Sequence, residues 1–130
     1  MLLTSDLDVA EGCPGETLRI QCPEDHVIIP TSAMFGRMEV TRCIDVKEFI
    51  GCRNDVLFLI DRWCSGRRQC EVVIPNPDLK QANEECLRYL QMYLHVSYSC
   101  LQGSFIAILF SNLCIRSSSI GLRWNVVDYK

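Results

Sequence analysis

Met92-Tyr93-Leu94-His95-Val96-Ser97-Tyr98-Ser99-Cys100 is the stretch on which the fold turns. Met92, Leu94, Val96, Tyr98 and Cys100 alternate with Tyr93, His95, Ser97 and Ser99. Such alternation predicts a strand with one dry face and one wet face. The strand ends on a cysteine, the last of eight at Cys13, Cys22, Cys43, Cys52, Cys64, Cys70, Cys86 and Cys100, with Cys114 left over. Metal ligands usually come as close pairs with two residues between them. The tightest spacing here is Cys64-x5-Cys70, and His26 and His95 stand alone. No metal site is therefore predicted. Four disulfides fit better, and with them an oxidising compartment, extracellular or at the cell surface.

Upstream, Leu18, Ile20 and Cys22 alternate with Thr17, Arg19 and Gln21, predicting another half-buried strand. Val27-Ile28-Ile29 is a short apolar run that predicts a more buried strand interrupted at Pro30. Ala33 to Phe35 continues extended until Gly36 breaks it. The clearest helix is expected to start at Asn54 as N-cap, with Asp55 at its positive end and Val56, Leu59, Ile60 and Trp63 on one face. Ser65-Gly66 stops it. Glu71 to Ile74 is β-prone and ends at Pro75-Asn76-Pro77, and Asp78 to Gln91 fits a helix with Leu79, Ala82, Cys86 and Leu90 on one side.

At 130 residues the chain is sized for one domain. A net charge of −3 argues against general nucleic-acid binding. The first hundred residues hold 10 Lys+Arg against 15 Asp+Glu, and the rest three basic residues and one acidic. Residues 1–12 are expected to be a flexible, acidic leader, residues 13–100 the domain, and residues 101–130 an atypical tail carrying Cys114. That tail is either a strand pair packed on the domain or a non-homologous end. Met1-Leu2-Leu3 runs straight into Thr4, Ser5 and Asp6, without the features of a signal peptide. A secreted domain without one is expected to be a piece of a longer protein or an isoform with an altered start. The apolar run from Ser104 to Ile115 is too short for a membrane span, which needs roughly 20 residues.

Cys13-x8-Cys22, Ala33-Met34-Phe35-Gly36-Arg37, the close Cys64 and Cys70, and Tyr93-Leu94-His95-Val96-Ser97-Tyr98-Ser99-Cys100 form a set. Together these motifs resemble the SUEL-type lectin domain, the galactose- or rhamnose-binding domain of egg lectins and latrophilin-like receptors. The resemblance covers residues 13–100. It implies an α+β fold (α/β in the broad sense): a small disulfide-rich antiparallel β-sandwich with short helices. Eight cysteines allow roughly 100 pairings, and spacing does not choose among them. The resemblance implies Cys13 with Cys43, Cys22 with Cys100, Cys52 with Cys86, and Cys64 with Cys70.

It also implies a sugar site. Sugar-binding members use an acidic residue just after the first cysteine, a Tyr-Gly-Arg motif, an Asp-Pro-Cys segment and a Lys-Tyr-Leu motif. The positions here are Glu16, Phe35-Gly36-Arg37, Glu84 ahead of Glu85 and Cys86, and Met92-Tyr93-Leu94. Phe35 loses a hydroxyl and Met92 an ammonium, and hydrogen bonds to charged groups contribute about 1.5–3 kcal/mol each. The implied function is a non-catalytic extracellular module for glycans bearing galactose or rhamnose. The alternative is a protein-adhesion module for a cell-surface partner, on the same scaffold with a degenerate sugar site. Adjacent Glu84 and Glu85 do not converge on one glycosidic bond, so no enzyme is expected, and no cofactor. Arg37 serves either a ligand or a loop whose backbone carbonyls it pins. Arg62, Arg67 and Arg68 read as a solvated helix end with sulfated glycans as the other option, His95 as a surface residue, and Trp63 as core.

Overall fold

A computed structural model of the chain describes residues 7–44, 47, 49–82, 86 and 90–103. Its strands are β1 (Asp8–Gly12), β2 (Thr17–Gln21), β3 (His26–Gly36), β4 (Arg53–Asp55), β5 (Gln69–Val73) and β6 (Tyr93–Gln102), and its helices are α1 (Leu57–Cys64) and α2 (Pro77–Gln81). One sheet has the order β1-β6-β3-β4 and the other pairs β2 with β5, all antiparallel. The expected fold class holds: antiparallel sheets, short helices and four disulfides. The bonds join Cys13 to Cys43, Cys22 to Cys100, Cys52 to Cys86 and Cys64 to Cys70.

β6 is the axis of the larger sheet, with β1 on one side and β3 on the other. Its dry face is realised as written in the sequence, but the face expected to be wet is not: Tyr93 is buried, and His95, Ser97 and Ser99 are half-buried. Met92, just ahead of the strand, with Leu94 and Val96, belongs to the hydrophobic core, and Tyr98 and Cys100 pack against it. The same core takes Leu18 and Ile20 from β2, Cys70 and Val72 from β5, and Leu59, Ile60 and Cys64 from α1. Both sheets and the longer helix therefore bury their apolar faces against one another, which gives the strands a reason to hold a single register.

Several expectations need correction. Asp8–Gly12 is not part of a loose leader but forms β1, which pairs with β6 from Asp8↔Tyr98 to Gly12↔Leu94. β3 is not interrupted at Pro30. It continues to Gly36 through a β-bulge between Pro30 and Ser32. Ile28 and Pro30 face Cys100 and Tyr98, while Ala33 and Phe35 face Val96 and Leu94. The inserted residue moves the buried positions of β3 from even to odd numbers, so the strand stays in phase with β6. Proline is accepted there because β4 pairs only with Met34–Gly36, and no ladder partner needs the missing N–H at residue 30.

α1 begins at Leu57 rather than after an Asn54 cap. Asn54 lies buried in β4 opposite Phe35, and its amide Nδ2 donates to the Phe35 carbonyl at 3.3 Å. Asp55 takes over near the helix start, its Oδ1 accepting from Leu57 N at 2.9 Å. At the other end Gly66, at φ 79°, provides the left-handed turn that stops the helix and lets its N–H donate to Ile28 O at 2.9 Å. β5 starts at Gln69, two residues before the expected run, and α2 is a single short turn from Pro77 capped by Asn76. The rest of the helix expected to Gln91 falls largely outside the described residues, as do Cys114 and residues 104–130. Trp63 is half-buried against the core rather than within it.

Candidate functional site

The register of β3 against β6 gathers most of the candidate site residues at one end of the larger sheet. Phe35 lies opposite Leu94 and Gly36 opposite Tyr93. Arg37 follows, its Nη1 donating to the Gln91 carbonyl at 2.8 Å, just before Met92. That contact is the loop-pinning role: a buried guanidinium held between the end of β3 and the start of β6. The Tyr93 hydroxyl accepts from Glu39 N at 3.2 Å and holds the following loop down. Burial pushes the Tyr93 phenol above its ordinary range, the bond from Glu39 partly offsetting this.

Their accessibility differs sharply. Phe35, Met92 and Leu94 are core residues with at most 8 % of their surface exposed, and Tyr93 is 1 % exposed. Gly36 and Arg37 are also buried. Glu84 lies outside the described residues. Glu16 is the exposed member, on the loop between β1 and β2.

Glu16 does not stand loosely in water. Its Oε1 accepts from Cys13 N at 2.8 Å, closing the turn that follows the first cysteine. Arg42 grips both carboxylate oxygens, Nη1 to Oε2 at 2.9 Å and Nη2 to Oε1 at 3.1 Å, and Nη2 also donates to Glu11 O at 3.2 Å. Bidentate geometry of this kind fixes orientation as well as charge. Glu11 in turn lies opposite His95 across β1 and β6, Oε2 to Nδ1 at 3.1 Å. An array of exposed Glu16 and Arg42 and half-buried Glu11 and His95 thus runs along β1 to β6.

Arg42 and Glu11 are not legible as site residues from the motifs alone. The signal for Arg42 is its neighbour Cys43: once Cys43 is joined to Cys13, residue 42 must approach the loop that holds Glu16. Glu11 needed β1, which a reading of the leader as loose conceals.

The hydrogen bonds from Arg42 and Cys13 hold the Glu16 carboxyl below its ordinary range, and Glu16 raises Arg42 in return. Because the folded value is depressed, the tether is complete above the ordinary carboxylate range and is lost as pH falls through the lowered value. In Arg42→Ala the Glu16 carboxyl is expected to titrate at a higher pH, followed by its side-chain carbon NMR shift. An unmoved titration would show that Arg42 does not hold it in solution.

Among the described residues no group of three or more His, Cys, Asp or Glu side chains could hold a metal ion, and no helix is long and apolar enough to cross a membrane. A family model for the D-galactoside/L-rhamnose binding SUEL lectin domain matches residues 20–100, more than half of the chain. No curated protein matches it.

Proposed function

Because the chain belongs to the D-galactoside/L-rhamnose binding SUEL lectin family, we propose that it is a non-catalytic, extracellular carbohydrate-recognition module of a larger cell-surface or secreted protein. Its ligands are glycans ending in galactose or rhamnose. The observation that carries this reading is the Glu16–Arg42 pair, a fixed and exposed carboxylate and guanidinium tied to β1 through the Glu11 carbonyl. Adjacent hydroxyls of a pyranose bond well to groups of this kind, and a pair already held in place loses little freedom on binding. The buried Arg37 and Tyr93 support the surface from beneath, by fixing the 37–44 loop to the start of β6.

Oxidised protein on a glycan array is expected to be retained by galactose- or rhamnose-terminated glycans, and Glu16→Gln to weaken retention about tenfold. Retention on none of these glycans would sink the proposal.

A second reading draws on Phe35 and Met92. At positions where sugar-binding relatives present a tyrosine and a lysine, this chain places two apolar side chains inside the core. Those losses favour a scaffold turned to a protein partner, for which the array stays blank while the folded domain still binds cells.

A further inference from the structure

A recess of about 490 Å³ opens on the outer side of β5, between the end of α1 and the start of α2. It shares no residue with the Glu16–Arg42 array. Its volume lies in the range of about 300–1,000 Å³ typical of small-molecule sites. β5 pairs with β2 along one edge, and four consecutive residues of β5, 70–73, line the recess. A strand that lines a recess with consecutive residues turns its edge to it, with backbone donors and acceptors available.

The walls divide by chemistry. Trp63, half-buried in the last turn of α1, supplies an aromatic surface, and Val73, 58 % exposed, continues the apolar side. Arg67, Asn76 and Asp78 supply the polar side. Asn76 is already oriented: its Oδ1 accepts from Leu79 N at 2.9 Å, which leaves the carboxamide NH2 to donate elsewhere. Glu71 stands on the same wall, held by Arg19 at 2.8 Å. With Glu71 paired to Arg19, Arg67 and Asp78 balance each other, so the recess has no excess positive charge to favour a sulfated or acidic glycan. A purely apolar ligand would leave Arg67, Asn76 and Asp78 to be desolvated without partners.

A neutral pyranose matches both sides. Its axial C–H groups carry partial positive charge and suit the negative face of an indole, while its hydroxyls can bond an amide, a carboxylate and a guanidinium. We propose that this recess is a second glycan subsite, taking a neutral hexopyranose against Trp63 with its hydroxyls toward Arg67, Asn76 and Asp78. It does not depend on sugar binding at the Glu16 end.

The test is amide and indole NMR on the oxidised full chain. Methyl β-D-galactopyranoside and methyl α-L-rhamnopyranoside are each titrated to about tenfold above a millimolar Kd. At least one is expected to shift the Trp63 indole N–H and the amides of residues 70–73, 76 and 78 with saturation. The exposed double variant Arg67→Ala/Asp78→Asn should weaken that response about tenfold while β6 amides keep their positions. Shifts confined to residues 36–42 and 91–95 overturn the subsite and leave the Glu16 reading standing. Shifts confined to the recess support the subsite and count against the Glu16 reading. A recess response undiminished in the double variant, or none at Trp63 with either sugar, overturns the subsite.

Discussion

Replacing Cys22 and Cys100 together by alanine is expected to lower the free energy of unfolding by about 4 kcal/mol. The two residues are 78 apart in sequence. The Cys52–Cys86 and Cys13–Cys43 bonds, spanning 34 and 30 residues, both short-cut that loop in the unfolded chain, to an effective length of about 32. Loop-closure entropy at that length still corresponds to about 4 kcal/mol, against about 2 kcal/mol for Cys64–Cys70 with its separation of 6. Total stabilities of domains are only about 5–15 kcal/mol. The bond also joins the end of β2, in the smaller sheet, to β6 at the axis of the larger. Guanidinium denaturation without reductant should show a lower midpoint and a steeper slope, since the freed chain exposes more surface when unfolded. An unchanged midpoint would mean that this bond does not restrict the unfolded chain.

Most of what was legible in the sequence was local and periodic. β2 and β6 could be read because a two-residue period with one dry face leaves little choice of conformation. From sequence β3 reads as broken, because the bulge at Pro30–Ser32 makes sense only against β6, whose buried positions it must meet. Asn54 illustrates the same competition at a helix end. Locally it is a good cap, but pairing with Phe35 claims its amide for the β3–β4 edge, and Asp55 serves the helix instead. Resemblance, rather than spacing, supplied the disulfide pairing.

The candidate site was legible as a set of motif positions and not as a surface. Gly36 and Tyr93 face each other because of the β3–β6 register, which the motifs do not state. Nor do they state that Phe35, Met92 and Leu94 turn inward while Glu16 remains outside. That division depends on which strand face meets the core. Arg42 enters only through the Cys13–Cys43 bond, a contact across 30 residues that no local pattern encodes.

Gly36→Ala is expected to cost about 2–3 kcal/mol and to lower Tm by about 10 °C, although the substitution adds one methyl group and no positive φ is involved. A Cβ at residue 36 would run into the carbonyl oxygen of Cys52 and come within 2.7 Å of Arg53 Cα. Both obstacles are backbone, and neither can step aside easily. Cys52 is bonded to Cys86, and its carbonyl accepts from Arg37 N at 2.9 Å, while Gly51 N donates to Arg37 O at 2.7 Å. The β3–β4 edge must therefore spread as a unit, carrying Arg37 away from Gln91. Gly12→Ala provides the contrast. Its Cβ meets the terminal Cδ1 of Ile74, a side-chain end that can rotate, and lies 3.2 Å from Leu18 Cβ. Its cost should be smaller, about 1 kcal/mol. Thermal unfolding of the two variants tests the ranking, and a Gly36→Ala protein as stable as Gly12→Ala would show that the β4 backbone yields. If Gly36 also sets the saccharide surface, sugar should no longer shift the amides of residues 36–42 and 91–95 in the surviving folded Gly36→Ala protein, while its Trp63 indole still responds. That split follows from the geometry: the spread edge carries Arg37 and the 37–44 loop, whereas the recess beside β5 rests on α1 and α2.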